Sequence, residues 1–518
     1  MKHRITNCPA CGAPAEFKTA STLVTICEFC HSAIGRTDRN VEDLGKVSEI
    51  GNPASGLHRG MTGKWKGKSF TIVGRVRYRH SAGGSWDEWY LAFTGGERWG
   101  WLSEAQGEFG LTERRRLSKG SRLPPFDSLD VGQRVTLKGV ELAVREKGIA
   151  IAESAEGNMP WAFQPNAEHH FIDLYGDDGA VATYDYGDGT DSATHEAYLG
   201  QRVSLQEIGI DTSSLDQNAG VETVDATQCN CPECGGPLQL RAPDETLRIG
   251  CPNCTALLDA DKGKLKVFQS LYQQKIKPEI PLGTEGKIGD HTFTVIGFMR
   301  RFVKYQGRRY PWTEHLLYNR TEGFRWLVCN EGHWSIVENV KSPPRLGGDS
   351  ADYEGKTFRV YDRGVAYVEY VIGEFYWRVR VGDRVRTADY IAPPQMLSYE
   401  TSGHGKGEET TISIGHYISP GEIETTFGVK DLRRPWGVGV IQPSPSPGGS
   451  FYAMWFGFLA YLIFVSVFIG GSRGDGWLLI YALIGISLVP AGTLFYLYNF
   501  EVNRWSESDY SPYASSED

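Results

Sequence analysis

The sequence has no excess of positive charge, no heptad repeat and no collagen-like triplet, and each absence narrows its class. Its 54 Lys and Arg residues are outnumbered by 63 Asp and Glu residues, which gives a formal net charge of −9. A dedicated nucleic-acid binder usually carries a strongly basic domain, so specific binding of nucleic acid is not expected. The missing repeats exclude a coiled-coil rod and a collagen-like fibre. A chain of 518 residues instead suggests about three to five globular domains.

Motifs of the common enzyme classes are also missing. Residues 63–69 resemble a phosphate-binding loop, but three residues separate their glycines where the motif requires four. His195 and Glu196 lack the second histidine of a zincin helix, and no Gly-x-Ser-x-Gly or Gly-x-Gly-x-x-Gly motif is present. We therefore predict no catalytic residue and favour a protein that is not an enzyme. An acidic run without the spacing of a calcium loop is interpreted as solvated turns: Asp173, Asp177, Asp178, Asp185, Asp188 and Asp191.

What the sequence does have is ten cysteines, eight of them in four Cys-x-x-Cys pairs. A two-residue gap lets one tight turn direct two sulfurs at a single ion, and two such turns complete a tetrahedral thiolate site for zinc. Disulfides in a secreted protein and a redox role are the alternatives. The opening residues 1–4 do not resemble a signal peptide, which favours a reducing compartment. We predict two structural zinc ions, bound by Cys8, Cys11, Cys27 and Cys30 and by Cys231, Cys234, Cys251 and Cys254.

The chain also contains an internal repeat. Cys8 and Cys231 are 223 residues apart, and the strand-like segment 70–74 matches 293–297 at the same offset. Later matches drift by a few residues, as loop insertions would produce: Trp86–Glu88 with Trp312–Glu314, and Gly157 with Gly373. The order ribbon, β-domain, ribbon, β-domain indicates a tandem duplication.

The fold class predicted from these patterns is mainly β. Short strands separated by Gly-rich turns, without amphipathic helices, favour an antiparallel sandwich or barrel in each β-domain. Each is preceded by a zinc ribbon, and a transmembrane α-hairpin follows the second. The predicted boundaries are ribbons at 1–40 and 225–265, β-domains at 55–210 and 280–430, a linker at 431–450, transmembrane helices at 451–469 and 477–498, and an acidic tail, expected to be disordered, at 499–518.

Two uncharged segments near the C-terminus have the length needed to cross a bilayer of about 30 Å. The turn between them carries only Arg473 beside Asp475, whereas Lys430, Arg433, Arg434 and Arg504 flank the hairpin. The positive-inside rule then predicts that both termini are cytoplasmic.

Each β-domain carries a basic stretch directly after its matched strand. In the first copy, arginines on alternate residues would share one face of a strand, which could bind anionic lipid or a charged protein partner. A solvated hairpin with locally paired arginines is the alternative. The candidate anion-binding or partner-binding residues are Arg75, Arg77, Arg79, Arg300, Arg301 and Lys304. The next segment of each copy supplies an alternative ligand site: Trp86, Glu88, Trp312 and Glu314.

These segments resemble a known family. Residues 70–78, 86–91 and 98–102 are similar to the bacterial domain of unknown function 4178, and residues 293–337 form a looser copy in which His315 takes the place of Trp89. The resemblance implies leading zinc ribbons, a bacterial inner-membrane setting and genes for polyamine synthesis or membrane-stress coat proteins nearby. It implies no catalytic residue.

Two hypotheses follow. In the first, the protein is a membrane-anchored scaffold or sensor that binds a protein or anionic partner at the cytoplasmic face. In the second, the β-domains are unrecognised enzymes or bind a cationic ligand such as a polyamine, in a cage of carboxylates and aromatic rings. Glu88 and Glu314 converging with Trp side chains in equivalent pockets would favour the second hypothesis, and a flat basic face would favour the first.

Overall fold

The architecture is taken from a computed structural model of the chain. It describes residues 4–513 except for 19–21, 37–40, 48–49, 51–52, 54, 81–83, 95–97, 106, 118–121, 162, 190–194, 212–226, 243–245, 262–263, 272–273, 321, 403–408 and 469–475. The chain forms two similar modules, each a small ribbon joined to a closed β-barrel, followed by a pair of long helices.

The first ribbon consists of five short strands. They are β1 (Arg4–Asn7), β2 (Pro14–Phe17), β3 (Val24–Ile26), β4 (Ser32–Arg36) and β5 (Val41–Lys46). β3 pairs with the end of a barrel strand at Asn158 and Met159, so the ribbon sheet continues into the barrel.

The first barrel closes through eight antiparallel strands. Its elements are β6 (Thr62–Trp65), β7 (Lys68–His80), β8 (Ser85–Phe93), β9 (Trp99–Ala105), β10 (Glu108–Arg115), β11 (Arg134–Leu137), β12 (Val140–Met159), β13 (Glu168–Tyr175), β14 (Ala180–Asp185) and β15 (Glu196–Val203), with 3-10 turns at Phe126–Ser128 and Asp177–Gly179. Around the barrel the order is β7-β8-β9-β10-β15-β14-β13-β12, and β12 pairs with β7 to close it. An eight-stranded barrel has an interior just wide enough for side chains or one small ligand.

The second module repeats this plan. Its ribbon strands are β16 (Thr227–Asn230), β17 (Pro237–Leu240), β18 (Arg248–Gly250), β19 (Leu257–Asp261) and β20 (Lys264–Gln269). Its barrel elements are β21 (Glu285–Ile288), β22 (His291–Tyr305), β23 (Arg308–Asn319), β24 (Gly323–Asn330), β25 (His333–Asn339), β26 (Arg345–Leu346), β27 (Ser350–Tyr353), β28 (Lys356–Phe375), β29 (Arg384–Ala392), β30 (Gln395–Ser402) and β31 (Glu409–Ile418). The closing pair is β22 with β28.

The two faces of the first barrel differ in chemistry. The rings of Trp86 on β8 and Phe171 on β13 lie 5.4 Å apart although these strands are not neighbours, so both side chains point into the barrel. Apolar side chains on the opposite faces, such as Leu91 and Ile172, are fully buried beneath flanking segments that include Leu57 and Leu137. The hydrophobic core therefore lies largely outside the barrel wall, and the interior is left for polar and aromatic groups.

Glycines allow the closing strands to approach closely in both copies. A Cβ on Gly74 would lie 2.1 Å from the Asn158 carbonyl oxygen, and one on Gly297 would lie 2.6 Å from that of Glu374. Their partners Gly157 and Gly373 adopt φ of +75° and +87°, a region that side chains disfavour. The matched glycines of the repeat are therefore required by barrel closure.

Helices follow the second barrel: α1 (Pro420–Phe427), α2 (Gly449–Phe468) and α3 (Gly476–Arg504). The last two are long and apolar enough to span a membrane, as predicted. However, α3 continues beyond the predicted span, and Phe500, Arg504 and Trp505 are buried. The segment after α3 packs on the second barrel, where Ser508 donates to the Tyr361 carbonyl oxygen. The expected disorder of residues 501–513 was therefore wrong.

A turn separates β11 from β12, where Lys138 and Gly139 adopt positive φ. β28 is by contrast one long uninterrupted strand that ends at Phe375.

Candidate functional site

The eight cysteines of the Cys-x-x-Cys pairs form two compact clusters, one in each ribbon. The Sγ atoms of Cys8 and Cys30 are 3.7 Å apart, and those of Cys234 and Cys251 are 3.9 Å apart. A tetrahedral thiolate site with metal–sulfur bonds of about 2.3 Å has edges of about 3.8 Å. Each cluster therefore fits one tetrahedral metal ion: Cys8, Cys11, Cys27 and Cys30 in the first, and Cys231, Cys234, Cys251 and Cys254 in the second.

The turns that aim these sulfurs follow one backbone pattern. Gly12 and Gly235 have φ of +77° and +70°, and each amide donates to the carbonyl of the first cysteine of its pair. The second pair in each ribbon makes the same turn with His31 and Thr255 at positive φ. Glycine therefore occupies the positive-φ position only in the first pair of each ribbon.

The basic stretch of the first barrel lies on its outer face. Arg75, only 2% exposed, donates to Asp87 at 2.7 Å and lies over the ring of Trp89. Arg77 makes two bonds to the same carboxylate, at 2.9 and 3.0 Å. These arginines are thus paired with a local acid, as in the alternative interpretation, but Arg75 and Asp87 are buried and not solvated. Arg79 is half-buried on the same face, and its role stays a prediction.

The basic stretch of the second barrel is divided between the two faces of β22. Arg300 pairs with Glu369 at 3.2 Å, and exposed Lys304 lies near the rings of Phe302 and Tyr367. Arg301 points inward and is described below. Arg300 and Lys304 therefore lie on the opposite face of β22 from Arg301.

Trp86 and Glu88 point into the first barrel. The Trp86 indole N–H donates to a Glu88 carboxylate oxygen at 3.3 Å, and the Trp86 ring stacks on Tyr78 with centroids 5.5 Å apart. Other strands add aromatic rings to the same cavity: Trp99, Trp101, Trp161, Phe171 and Tyr198.

Acidic groups outnumber arginines in this interior. Arg145 pairs with Glu108 at 3.0 Å and Arg114 pairs with Glu196 at 2.6 Å. Four further acids line the same cavity: Glu88, Glu146, Asp173 and Asp185. His80 lies 3.4 Å from Glu146. In the described part of the chain, no cationic side chain forms an ion pair with Glu88.

The pKa values follow from this arrangement. Burial, helped by the nearby charges of Asp173 and Asp185, raises the pKa of Glu88 to about 8, and the Trp86 hydrogen bond opposes the shift. Burial also raises the pKa of Asp173 to about 6, partly offset by the hydroxyl of Thr183, which donates at 2.6 Å. A cation brought to Glu88 would be attracted by several carboxylates across a short, water-poor space.

The second barrel contains equivalent acids, but there the glutamate that accepts from the tryptophan also pairs with an arginine. The Trp312 indole donates to Glu314 at 2.6 Å, and Ser398 donates to Asp389 at 2.5 Å. Arg301 donates to Glu314 at 3.1 Å and to Glu400 at 2.9 Å. These two carboxylates raise the pKa of Arg301 above its ordinary value, against the effect of burial.

Sequence reasoning missed several of these residues. Asp173 and Asp185 were interpreted as solvated turns, but both line the barrel interior, whereas Asp177 and Asp178 do lie in an exposed turn. The repeat carried a signal for them. Asp173 matches Asp389 at an offset of 216, and Asp185 matches Glu400 at 215.

One continuous cavity of about 2620 Å³ runs through both barrels. It is larger than a single small-molecule pocket, which usually has about 300–1,000 Å³. The two sites, around Glu88 and around Glu314, are separate places along this cavity.

Comparison with solved structures gives no useful relative. The complex of MucA and MucB from Pseudomonas aeruginosa is 8% identical, with 68% of this chain and 90% of that chain covered and a TM-score of 0.10. A second structure, MucB with MucA(peri), is 9% identical, with 69% and 91% covered and a TM-score of 0.09. TM-scores this low support no conclusion about fold or function. No curated protein matches the chain.

The family comparison is informative. The profile described as Domain of unknown function (DUF4178) matches residues 58–205 and 281–420, which correspond to the two barrels and cover more than half of the chain. The duplication inferred from the repeat is thus present as two copies of one domain, and the chain belongs to the DUF4178 family.

Proposed function

We propose that the protein is a membrane-anchored binding protein whose first barrel takes a small organic cation into its interior. The observation that carries this proposal is Glu88, which lies inside a ring of aromatic side chains with no ion-pair partner among the described residues. Burying an ionised carboxylate without a cation is costly, so the group stays protonated until a cation arrives. Aromatic faces with carboxylates are the chemistry that binds ammonium and guanidinium groups.

The positions of the basic residues support the same choice. Arg75 and Arg77 are committed to Asp87, and Arg301 is committed to Glu314 and Glu400. A scaffold that binds anionic lipid or an acidic partner through these arginines would have to break buried ion pairs first, which is expensive. Binding of a cation, for which a polyamine is one example, requires no such step.

The ribbons and helices have supporting roles in this proposal. Each four-cysteine cluster would hold one zinc ion, which would supply no chemistry beyond fixing its ribbon against its barrel. The hairpin would anchor the protein in the bacterial inner membrane with the barrels and both termini in the cytoplasm, as the flanking positive charge favours. A reporter enzyme fused after Asp518 should then be cytoplasmic, and one inserted near Gly474 should be external.

The binding proposal is tested with the full chain in detergent. Tryptophan fluorescence is titrated with putrescine, ethylguanidinium and tetramethylammonium, and with butane-1,4-diol as a neutral control. At least one cation should bind saturably and the diol should not. The variant Glu88→Gln should weaken that binding by about tenfold to a hundredfold, since a hydrogen bond to a charged group contributes about 1.5–3 kcal/mol. The exposed Glu168 provides the matched control, Glu168→Gln. Absence of binding by every cation would overturn the proposal.

A further inference from the structure

We infer that the cationic group bound in the first barrel is a guanidinium, because the second barrel holds the guanidinium of Arg301 at the equivalent place. This inference rests on the proposed function and specifies the ligand class of the same site. It also makes the two copies unequal, because the acidic site of the first barrel is open to a ligand and the equivalent acids of the second barrel are already paired with its own arginine.

The equivalence follows from the strand register. Tyr78 lies opposite Trp86 in the pairing of β7 with β8, and Arg301 lies opposite Trp312 in the pairing of β22 with β23. Both stand four residues after the glycine at which the closing strands approach each other. Tyr78 is therefore the residue of the first barrel that corresponds to Arg301.

The surroundings of the two residues also correspond. Arg301 lies 5.5 Å from the ring of Trp312 and between the carboxylates of Glu314 and Glu400. In the first barrel the equivalent carboxylates are Glu88 and Asp185, and Glu88 accepts the same indole hydrogen bond from the residue two positions earlier. Tyr78, Glu88 and Asp185 line the same cavity. Burial, together with the charges of the two carboxylates, raises the pKa of Tyr78 well above its ordinary value.

The third acid is positioned in the same way in both copies. Asp173 accepts from Thr183, and Asp389 accepts from Ser398, across equivalent strand pairs. The first barrel thus retains an acidic arrangement that in the second barrel surrounds a guanidinium. In the first barrel the neutral phenol of Tyr78 takes the place of the Arg301 side chain. The space in front of this phenol is part of the open cavity.

The geometry favours a planar cation over a compact ammonium. A guanidinium can stack on an indole and donate to two carboxylates at once from a rigid fork, whereas an ammonium is a strongly hydrated point charge. In the second barrel the Arg301 guanidinium lies over the Trp312 ring, and one of its nitrogens donates to both carboxylates. A ligand with the same group would reproduce these contacts with Trp86, Glu88 and Asp185.

The test compares ethylguanidinium with propylammonium, which have similar size and equal charge, by calorimetric titration of the full chain. We expect one site per chain and at least tenfold tighter binding of ethylguanidinium. Tyr78→Arg would supply the first barrel with its own guanidinium and should abolish this site, whereas Tyr78→Phe should retain it. Unchanged metal content and unfolding temperature verify that the variants are folded.

The second barrel provides the reciprocal experiment. Arg301→Ala removes the internal cation of the second barrel. It is combined with Glu88→Gln, which weakens the site in the first barrel, to give a double variant. Ethylguanidinium should then raise the unfolding temperature of the double variant, and propylammonium should raise it less. If neither cation binds the wild-type chain and no other cation does, the proposed function fails. If cations bind but propylammonium binds as well as ethylguanidinium, or if Tyr78→Arg still binds, only the guanidinium inference is overturned.

Discussion

Asn158 and Glu374 occupy the same position in the two modules, and each ties its ribbon to its barrel by accepting backbone hydrogen bonds. The Lys18 amide donates to the Asn158 side chain at 2.8 Å. The Arg241 and Ala242 amides donate to the Glu374 carboxylate at 2.7 and 2.9 Å. Because both acceptors follow the glycine of a closing strand, ribbon attachment and barrel closure depend on the same few residues.

This attachment changes the expected effect of losing a metal. The variant Cys27→Ser should reduce the metal content from two ions per chain to one. The loss should also loosen the first barrel, since Val24 and Ile26 of the ribbon share a hydrophobic cluster with Val76 of the barrel. Elemental analysis measures the metal, and hydrogen exchange of β12 measures the barrel. Cys229→Ser, which alters a cysteine outside both clusters, is the control.

The contrary result is informative. If Cys27→Ser exposes only residues of the first ribbon to exchange, the ribbon folds and unfolds independently of the barrel, as expected for a small domain stabilised mainly by its own ion.

Binding of the cation should depend on pH through Glu88. Its pKa of about 8 means that the group is mainly protonated at pH 7 in the empty barrel, and a bound cation requires the carboxylate. Binding therefore releases a proton below pH 8. The affinity should rise by up to about tenfold per pH unit towards pH 8 and then level off. Titrations at several pH values check this, and Glu88→Gln should remove the Glu88-dependent rise.

The same group also gives a stability test with a defined sign. The pKa of Glu88 is raised in the folded chain above its ordinary value of 4.5, so the folded state binds the proton more tightly than the unfolded state. The contribution of Glu88 to stability must therefore fall as pH rises from about 4.5 to about 8. A difference between wild type and Glu88→Gln that grows in the opposite direction would contradict the burial of this carboxyl.

The cysteine clusters and the helical hairpin could be predicted from the sequence because their causes are local. Two sulfurs separated by two residues already define half of a metal site, and a long apolar helix needs no partner to be recognised. The duplication was visible because ligands and closing glycines must be retained in each copy. These features depend on short segments and do not require knowledge of the strand order.

The residues of the barrel interior could not be predicted from the sequence in the same way. The contacts that define it join residues far apart in sequence, such as Glu314 and Glu400, which come together only through Arg301. In addition, strands with an acidic face and an apolar face usually turn the acidic face to water. Here flanking segments cover the apolar face, so Asp173 and Asp185 are enclosed within the barrel. Sequence alternation alone cannot distinguish these two arrangements.

The glycines at which the closing strands approach each other should not tolerate substitution, for two reasons that can be tested separately. In Gly157→Ala the new Cβ would lie 2.4 Å from the Val73 carbonyl oxygen, and the residue would also keep a φ of +75°. Gly139 has a φ of +83° with no described atom near its Cβ position, so Gly139→Ala isolates the backbone cost, about 1–2 kcal/mol. Gly157→Ala should lower the unfolding free energy by clearly more. Equal effects in denaturant titrations would show that the strands can separate there without cost.

The end of the apolar helical hairpin should matter for the second barrel because of Arg504. Its side chain is fully buried and donates to the carbonyl oxygens of Gly439, Val440 and Gln442 at 3.2, 2.8 and 2.6 Å. It also pairs with Glu501 at 3.0 Å. Arg504→Ala would leave these acceptors and the acid without their cation.

We expect this change to cost about 3–5 kcal/mol, the usual result of breaking a buried charged network. Residues 431–448 and 505–513 should become sensitive to protease in detergent, while the first barrel keeps its unfolding temperature. Arg434→Ala is the matched control, since the Arg434 side chain is 66% exposed and pairs with Glu424 at the surface.

If both variants behave alike, α3 merely ends near the barrel. If only Arg504→Ala makes these residues sensitive to protease, the contacts of Arg504 hold the end of the apolar hairpin against the second barrel. A chain truncated before Phe451 should then also expose the surface around Tyr361, and fold less stably than a simple linker would imply.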